Sequence, residues 1–165
     1  ELIMKRLSLP AVNGCGECIG QFGSFPACKA ANDLEPLRPS KEHYIVAVYE
    51  LQKKNMGVRI TDIALMTDVS KPSAVTAIQE LQRRNLVTQR QYGRVYLTEK
   101  GLLQALIVQC KYATIKRFLT DFVGVSEQTA ALDAGEIVHL IGNETVEVFN
   151  RALSAVPKGV GKKGL

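Results

Sequence analysis

The chain has 165 residues, 46% of them apolar and 22% charged, and carries a formal net charge of +5. That is room for one ordinary domain or two small ones around a real hydrophobic core, with no need of disulfides or a structural metal to fold. No stretch approaches the ~18 unbroken apolar residues of a membrane span. The basic residues Lys5 and Arg6 precede no apolar run ending in a cleavage site, so a cytoplasmic protein without a signal peptide is expected.

Residues 1–38 are rich in Gly, Pro and small residues and show no sustained period, which predicts a partly disordered arm closed by Pro36 and Pro39. Ser40 then has the character of an N-cap. The stripe Tyr44, Ile45, Val48 and Leu51 predicts a helix that stops near Asn55–Gly57. Ile60, Ile63 and Ala64 predict a short helix starting near Thr61. Ser70 is a good N-cap for the next helix, with Pro72 in its first turn, and Val75, Ile78 and Leu81 carry it to Asn85. Two short helices joined by a tight turn, the second with a polar N-terminal face, make a helix-turn-helix.

Two β-prone runs follow, over Leu86–Arg90 and Arg94–Leu97, flanking the turn residues Gln91, Tyr92 and Gly93. A hairpin in this place is a wing. Thr98–Gly101 opens a long helix with Leu102, Leu103, Leu106, Ile107, Cys110, Ile115, Phe118, Leu119 and Phe122 expected inward. Two shorter helices are expected over 127–141 and 143–154, and the chain finishes in a basic, Gly-rich stretch. The expected fold class is mainly α, with a two-stranded wing.

Charge is unevenly placed. Between Ser70 and Arg94 the cations Lys71, Arg83, Arg84, Arg90 and Arg94 face Glu80 alone, whereas acids outnumber bases from Val95 to Val156. A basic block on an otherwise balanced chain is the footprint of a nucleic-acid face. A helix lying in the major groove reads bases with its first turns. Here those turns offer Ser70, Lys71, Ser73, Ala74, Thr76 and Ala77, and the helix N-terminus adds partial positive charge toward phosphate. Arg90 and Arg94 on the wing would reach phosphates or the minor groove. Arg83 and Arg84 fit helix C-terminal dipole partners better than DNA contacts.

The arm poses a separate question. Cys15-Gly-Glu-Cys18, with Cys28 beyond it, fits a zinc or iron–sulfur half-site or a redox pair, and equally a mobile arm with incidental thiols. An enzyme finds little support: the chain has only His43 and His139, no Gly-rich phosphate loop and no recognisable nucleophile arrangement. A winged helix used purely as a protein-interaction adaptor is a further alternative, which salt-sensitive DNA binding would separate.

The ordered set Glu42–Leu51, Val58–Ala64, Val69–Val75 and Tyr92–Gly101, continuing through Arg117–Leu119, Val123–Val125, His139 and Gly142–Glu144, resembles the metal-dependent repressors of the diphtheria-toxin-repressor and manganese-transport-regulator type. The resemblance covers about residues 40–154. It implies a DNA-binding homodimer acting on an operator, with an N-terminal winged helix and a helical dimerisation domain. It points to the shorter members without a C-terminal barrel domain. The implied organisation is an arm over 1–38, a winged helix-turn-helix over 39–98, a dimerisation domain over 99–155 and a basic tail over 156–165. The implied function is a metal-responsive repressor of metal-homeostasis genes, and the implied cofactor is a divalent ion such as Fe²⁺ or Mn²⁺.

Carried over residue by residue, the implied ligand set is degenerate. Its positions fall on His43, on Tyr112 and Lys116 of the long helix, on Ala131 and Gly135, and on Val138-His139. Only the two histidines offer an ordinary metal donor. Asp133 and Glu136 share a helical face with His139, as a weak replacement site or as plain solvent-facing acids. A cysteine-held zinc or cluster on Cys15, Cys18 and Cys28, or redox sensing there, is the alternative.

Overall fold

The computed structural model describes residues 35, 37–54, 57–89 and 93–155. Six helices and a two-stranded sheet follow one another along these residues: α1 (Pro39–Lys54), α2 (Ile60–Thr67), α3 (Lys71–Arg83), β1 (Val87–Gln89), β2 (Val95–Leu97), α4 (Glu99–Arg117), a π-helical turn over Phe118–Val123, α5 (Glu127–Ile137) and α6 (Asn143–Ala155). The chain divides into two compact units, and the division, between Gln109 and Cys110, falls within α4.

In the first unit, α1 starts two residues earlier than an N-cap at Ser40 predicts, because Pro39 takes the first helical position, where its missing N–H costs nothing. The Arg38 carbonyl accepts from the Lys41 and Glu42 amides at 2.8 and 3.2 Å. Ile45, Val46, Ala47 and Val48 are all buried, so the middle of α1 is surrounded on every side and a single stripe understates it.

Helix α2 ends at Asp68, whose φ of 54° is left-handed, and the Val69 amide returns to the Ala64 carbonyl at 3.0 Å. This cap turns the chain sharply into α3. Ser70 caps α3 as expected, its hydroxyl accepting from the Ser73 amide at 3.3 Å, with Pro72 in the first turn. Ala74, Ala77, Ile78 and Leu81 form the buried face of α3. The helix stops two residues short of the expected Asn85, which itself turns left-handed at φ 58°.

Strands β1 and β2 are antiparallel, pairing Val87 with Leu97, Thr88 with Tyr96 and Gln89 with Val95. Val87 and Val95 point inward, and Thr88 and Tyr96 outward, the period-2 alternation of a half-buried ribbon. A third edge joins them: Val58 and Val95 exchange both backbone hydrogen bonds, at 3.0 and 2.8 Å. Thr98 then fastens the start of α4, donating its hydroxyl to the Asn85 carbonyl at 2.7 Å while accepting from the Gly101 amide at 3.0 Å. At the far end of this unit the buried Gln109 amide donates to the buried Glu50 carboxylate at 3.1 Å, and Lys53 holds the same carboxylate.

In the second unit, Tyr112, Ile115, Ala130, Ala134, Val138, Val146 and Leu153 are buried. Ser126 caps α5 just as Ser70 caps α3, accepting from the Thr129 amide at 3.2 Å. Phe118 stacks between Phe122 and Phe149, with centroids 4.9 and 4.1 Å away.

Two residues expected inward are exposed, Leu102 at 42% and Phe122 at 55%. Gly101 takes the packed position at the start of α4, which turns Leu102 away from it. Around Phe122 the backbone widens into the π-helical turn, so the 3.6-residue register of the stripe no longer applies. Helix α5 also ends earlier than expected, at Ile137, whose carbonyl accepts from both the Leu140 and Ile141 amides.

Candidate nucleic-acid interface

The start of α3 presents a polar surface. Ser70, Lys71, Pro72, Ser73 and Thr76 are exposed, and the Ser70 and Ser73 hydroxyls lie 2.8 Å apart. The Thr76 hydroxyl donates to the Pro72 carbonyl at 3.1 Å. The exposed first turn and its cluster of small hydroxyl side chains leave room for a backbone or base edge to approach closely. Ala74 and Ala77 do not belong to this surface. They are 0% and 2% exposed, on the same helical face as Ile78 and Leu81. The expectation that they line the groove is corrected: α3 spends its i, i+3, i+4 positions on the core.

On the wing, Arg94 is exposed and its Nη1 donates to the Gly57 carbonyl at 3.1 Å. Arg90, Gln91 and Tyr92 lie outside the described residues. Gln52 of α1 caps the wing from behind, its amide oxygen accepting from the Leu97 N–H at 3.0 Å. Arg83 is exposed, while Arg84 is half-buried with Nη1 3.8 Å from the Glu35 carboxylate.

Several organising contacts carry no signal in the sequence. Lys41 of α1 reaches Glu80 of α3 at 2.7 Å. This hydrogen bond holds the Glu80 carboxyl below its ordinary value, with help from the nearby charges of Lys41, Arg84 and Arg38. It also neutralises the only acid among the cations of this segment. Residues so far apart in sequence share no period, so nothing marked them as partners. Gly57 was legible only as a helix stop. Its second role, accepting from Arg94, needs the Val58–Val95 bridge to be known first.

The positions implied for a metal hold other chemistry. Tyr112 is buried and its phenol donates to the Ala131 carbonyl at 3.5 Å. Burial pushes that phenol above its ordinary range. Lys116 pairs with Glu127 at 2.8 Å and so holds this carboxyl below the usual glutamate range. His43 is half-buried on α1 and His139 half-buried just beyond α5, while Asp133 and Glu136 are exposed. Among the described residues, no three His, Cys, Asp or Glu side chains gather as a metal-ligand group. Cys15, Cys18 and Cys28 lie outside the described residues. Cys110 is half-buried on α4.

A capped helix-turn-helix followed by a two-stranded wing defines a winged-helix regulator. Comparison with known proteins narrows the class. The N-terminal DNA-binding domain of the iron-dependent repressors matches residues 36–95. An uncharacterized HTH-type transcriptional regulator of Methanocaldococcus jannaschii is 34% identical over 110 residues, 66% of this chain and 87% of that protein. The chain belongs to the iron-dependent repressor family of DNA-binding transcriptional regulators. The diphtheria toxin repressor of Corynebacterium jeikeium is 27% identical, over 73% of this chain but only 50% of its own length. This chain therefore spans about half the length of that relative.

Among solved structures, a hypothetical protein from Sulfolobus solfataricus superposes with a TM-score of 0.61 at 20% identity, covering 78% of this chain and all of the other. IdeR of T. acidophilum gives 0.60 at 18% identity, over 80% of this chain and 65% of its own. These likenesses carry the fold. Among the described residues, no helix is long and apolar enough to cross a membrane.

Proposed function

We propose that this chain is a cytoplasmic repressor that binds an operator as a homodimer, each protomer laying the start of α3 in a major groove of one half-site. The observation that carries this reading is the capped, exposed N-terminal turn of α3. Ser70, Lys71, Ser73 and Thr76 present hydroxyls and one cation there, and the ion pairs among the described residues do not engage Lys71. Arg94 supplies a phosphate contact from the wing, and Arg90, four residues earlier in the sequence and outside the described residues, is assigned the same role. Residues 39–98 form the DNA-binding domain and 99–155 the dimerising one. The exposed apolar side chains Phe122, Val123, Leu132, Leu140 and Val148 support the latter, since so much apolar surface on a small unit favours a partner. By analogy with its manganese- and iron-dependent relatives, the chain regulates genes of metal homeostasis.

A mobility-shift titration at several salt concentrations tests the reading. Lys71→Ala and Arg94→Ala should each weaken binding, Arg94→Ala with a salt slope shallower by about 1 if it loses one phosphate contact. If both variants bind operator DNA like the wild type, the assigned interface is wrong.

A further inference from the structure

The donors at the long-helix positions do not suit a divalent cation, and we infer that DNA binding by this chain is not switched by an ion held there, because its own Lys116 and Tyr112 tie α4 to α5 directly. The inference rests on the repressor reading above. A hard divalent ion needs several convergent oxygen or nitrogen donors. Ala131, Gly135 and Val138 bring no side-chain donor to the set. Lys116 is worse than neutral: an ammonium has three N–H donors, no acceptor, and a positive charge that repels the ion.

The same residues do work of another kind. The Lys116 ammonium sits 2.8 Å from Glu127 in the first turn of α5, and one helical turn back along α4 Tyr112 donates to the Ala131 carbonyl. Both ties run from α4 to α5. A resident ammonium, fixed by the sequence, thus bonds across to α5 at this position. Asp133 and Glu136 do not rebuild the site, since both are exposed and they form no three-member ligand group with His139.

The test uses the full chain and Mn²⁺ alone, an ion that prefers oxygen and nitrogen donors to thiolates, so that the N-terminal cysteines do not compete for it. Equilibrium dialysis is run on the wild type and on His43→Ala and His139→Ala, each checked for an unchanged thermal melt. DNA titrations are run in Mn²⁺ and in chelator. The expected result is no Mn²⁺ whose retention depends on either histidine, and DNA midpoints that agree within about twofold, below the range of ordinary allosteric couplings. An ion retained by both variants lies elsewhere and leaves the inference standing. One Mn²⁺ per chain that disappears in either variant overturns it. So does a Mn²⁺-driven gain of about tenfold or more in DNA affinity that either variant abolishes. Failure to bind DNA under any condition would count against the repressor reading, while the dialysis would still decide this one.

Discussion

Arg94 is anchored to the chain's own backbone, its Nη1 donating to the Gly57 carbonyl at 3.1 Å. Gly57 sits at φ +86°, and a Cβ added there would lie 2.6 Å from the Tyr96 ring and 2.9 Å from the Arg94 Cβ. The turn after α1, the wing arginine and the wing tyrosine therefore form one packed unit, braced by the Val58–Val95 backbone pair. A guanidinium carries five donors, so the bond to Gly57 orients Arg94 without excluding a phosphate.

Gly57→Ala should accordingly disturb both stability and DNA binding. The left-handed backbone and the clash together should cost about 1–3 kcal/mol, read as a lower denaturant midpoint. At a temperature where the variant remains folded, its DNA affinity should still fall below wild type because Tyr96 and Arg94 must move. Arg94→Lys should keep the salt slope and lose affinity, since an ammonium cannot match the geometry of the planar fork. Wild-type DNA affinity in a folded Gly57→Ala variant would show that the wing's position is immaterial.

Gly101→Ala should be more severe for folding. A Cβ at Gly101 would fall 1.8 Å from the Leu86 carbonyl oxygen, a backbone atom that cannot swing aside. The seam between α3's end and α4's start must open, also straining the Thr98 bonds to Asn85 and Gly101. A loss of about 3 kcal/mol or more is expected, in the range of serious overpacking. Gly142→Ala is the control, because nothing lies within 4 Å of its added Cβ. Equal melting temperatures for the two variants would contradict the packing described here.

These two glycines also mark how far the sequence could be read. Hydrophobic periodicity and the Ser70 and Pro72 signals located α3 closely, because capping is a local contest settled within one turn. The paired β-prone runs located the wing for the same reason. Glu50 and Gln109 lay beyond reach: both occupy helix positions that suit solvent, yet their side chains meet at 3.1 Å inside the protein. Lys41 and Glu80 meet across helices in the same way. Ala74 and Ala77 were misread because alanine is indifferent to burial, so only the neighbouring Ile78 and Leu81 reveal which face is inward. In the candidate site, the residue types at Tyr112 and Lys116 were legible as poor ligands, but their pairing with Ala131 and Glu127 required the fold.

The Lys41–Glu80 pair predicts a pH effect with a definite sign. Glu80 has a folded-state value below its ordinary 4.5, chiefly through the hydrogen bond from Lys41. A depressed carboxyl contributes stability above its unfolded value and loses it as the pH falls through the folded one. Wild type should therefore lose this contribution below the ordinary glutamate range, and Lys41→Met should lose less on acidification over the same window. The difference should be small, since the carboxylate is solvent-accessible and such pairs contribute little. Identical acid profiles for Glu80→Gln, Lys41→Met and wild type would remove the pair from the account of α3's placement.

Ser70 separates stability from recognition. Its hydroxyl satisfies the Ser73 amide at 3.3 Å, and its side chain stands exposed on the proposed DNA face. Ser70→Ala loses the cap and should cost about 1 kcal/mol. Ser70→Asp keeps a capping oxygen and adds a negative charge that the helix N-terminus favours, so the variant should melt at or above the wild-type temperature. That same charge would face phosphates across the interface, and DNA affinity should fall well below that of the less stable alanine variant. The opposite ordering, with Ser70→Asp binding DNA better than Ser70→Ala at a temperature where both are folded, would mean that the start of α3 does not face the duplex.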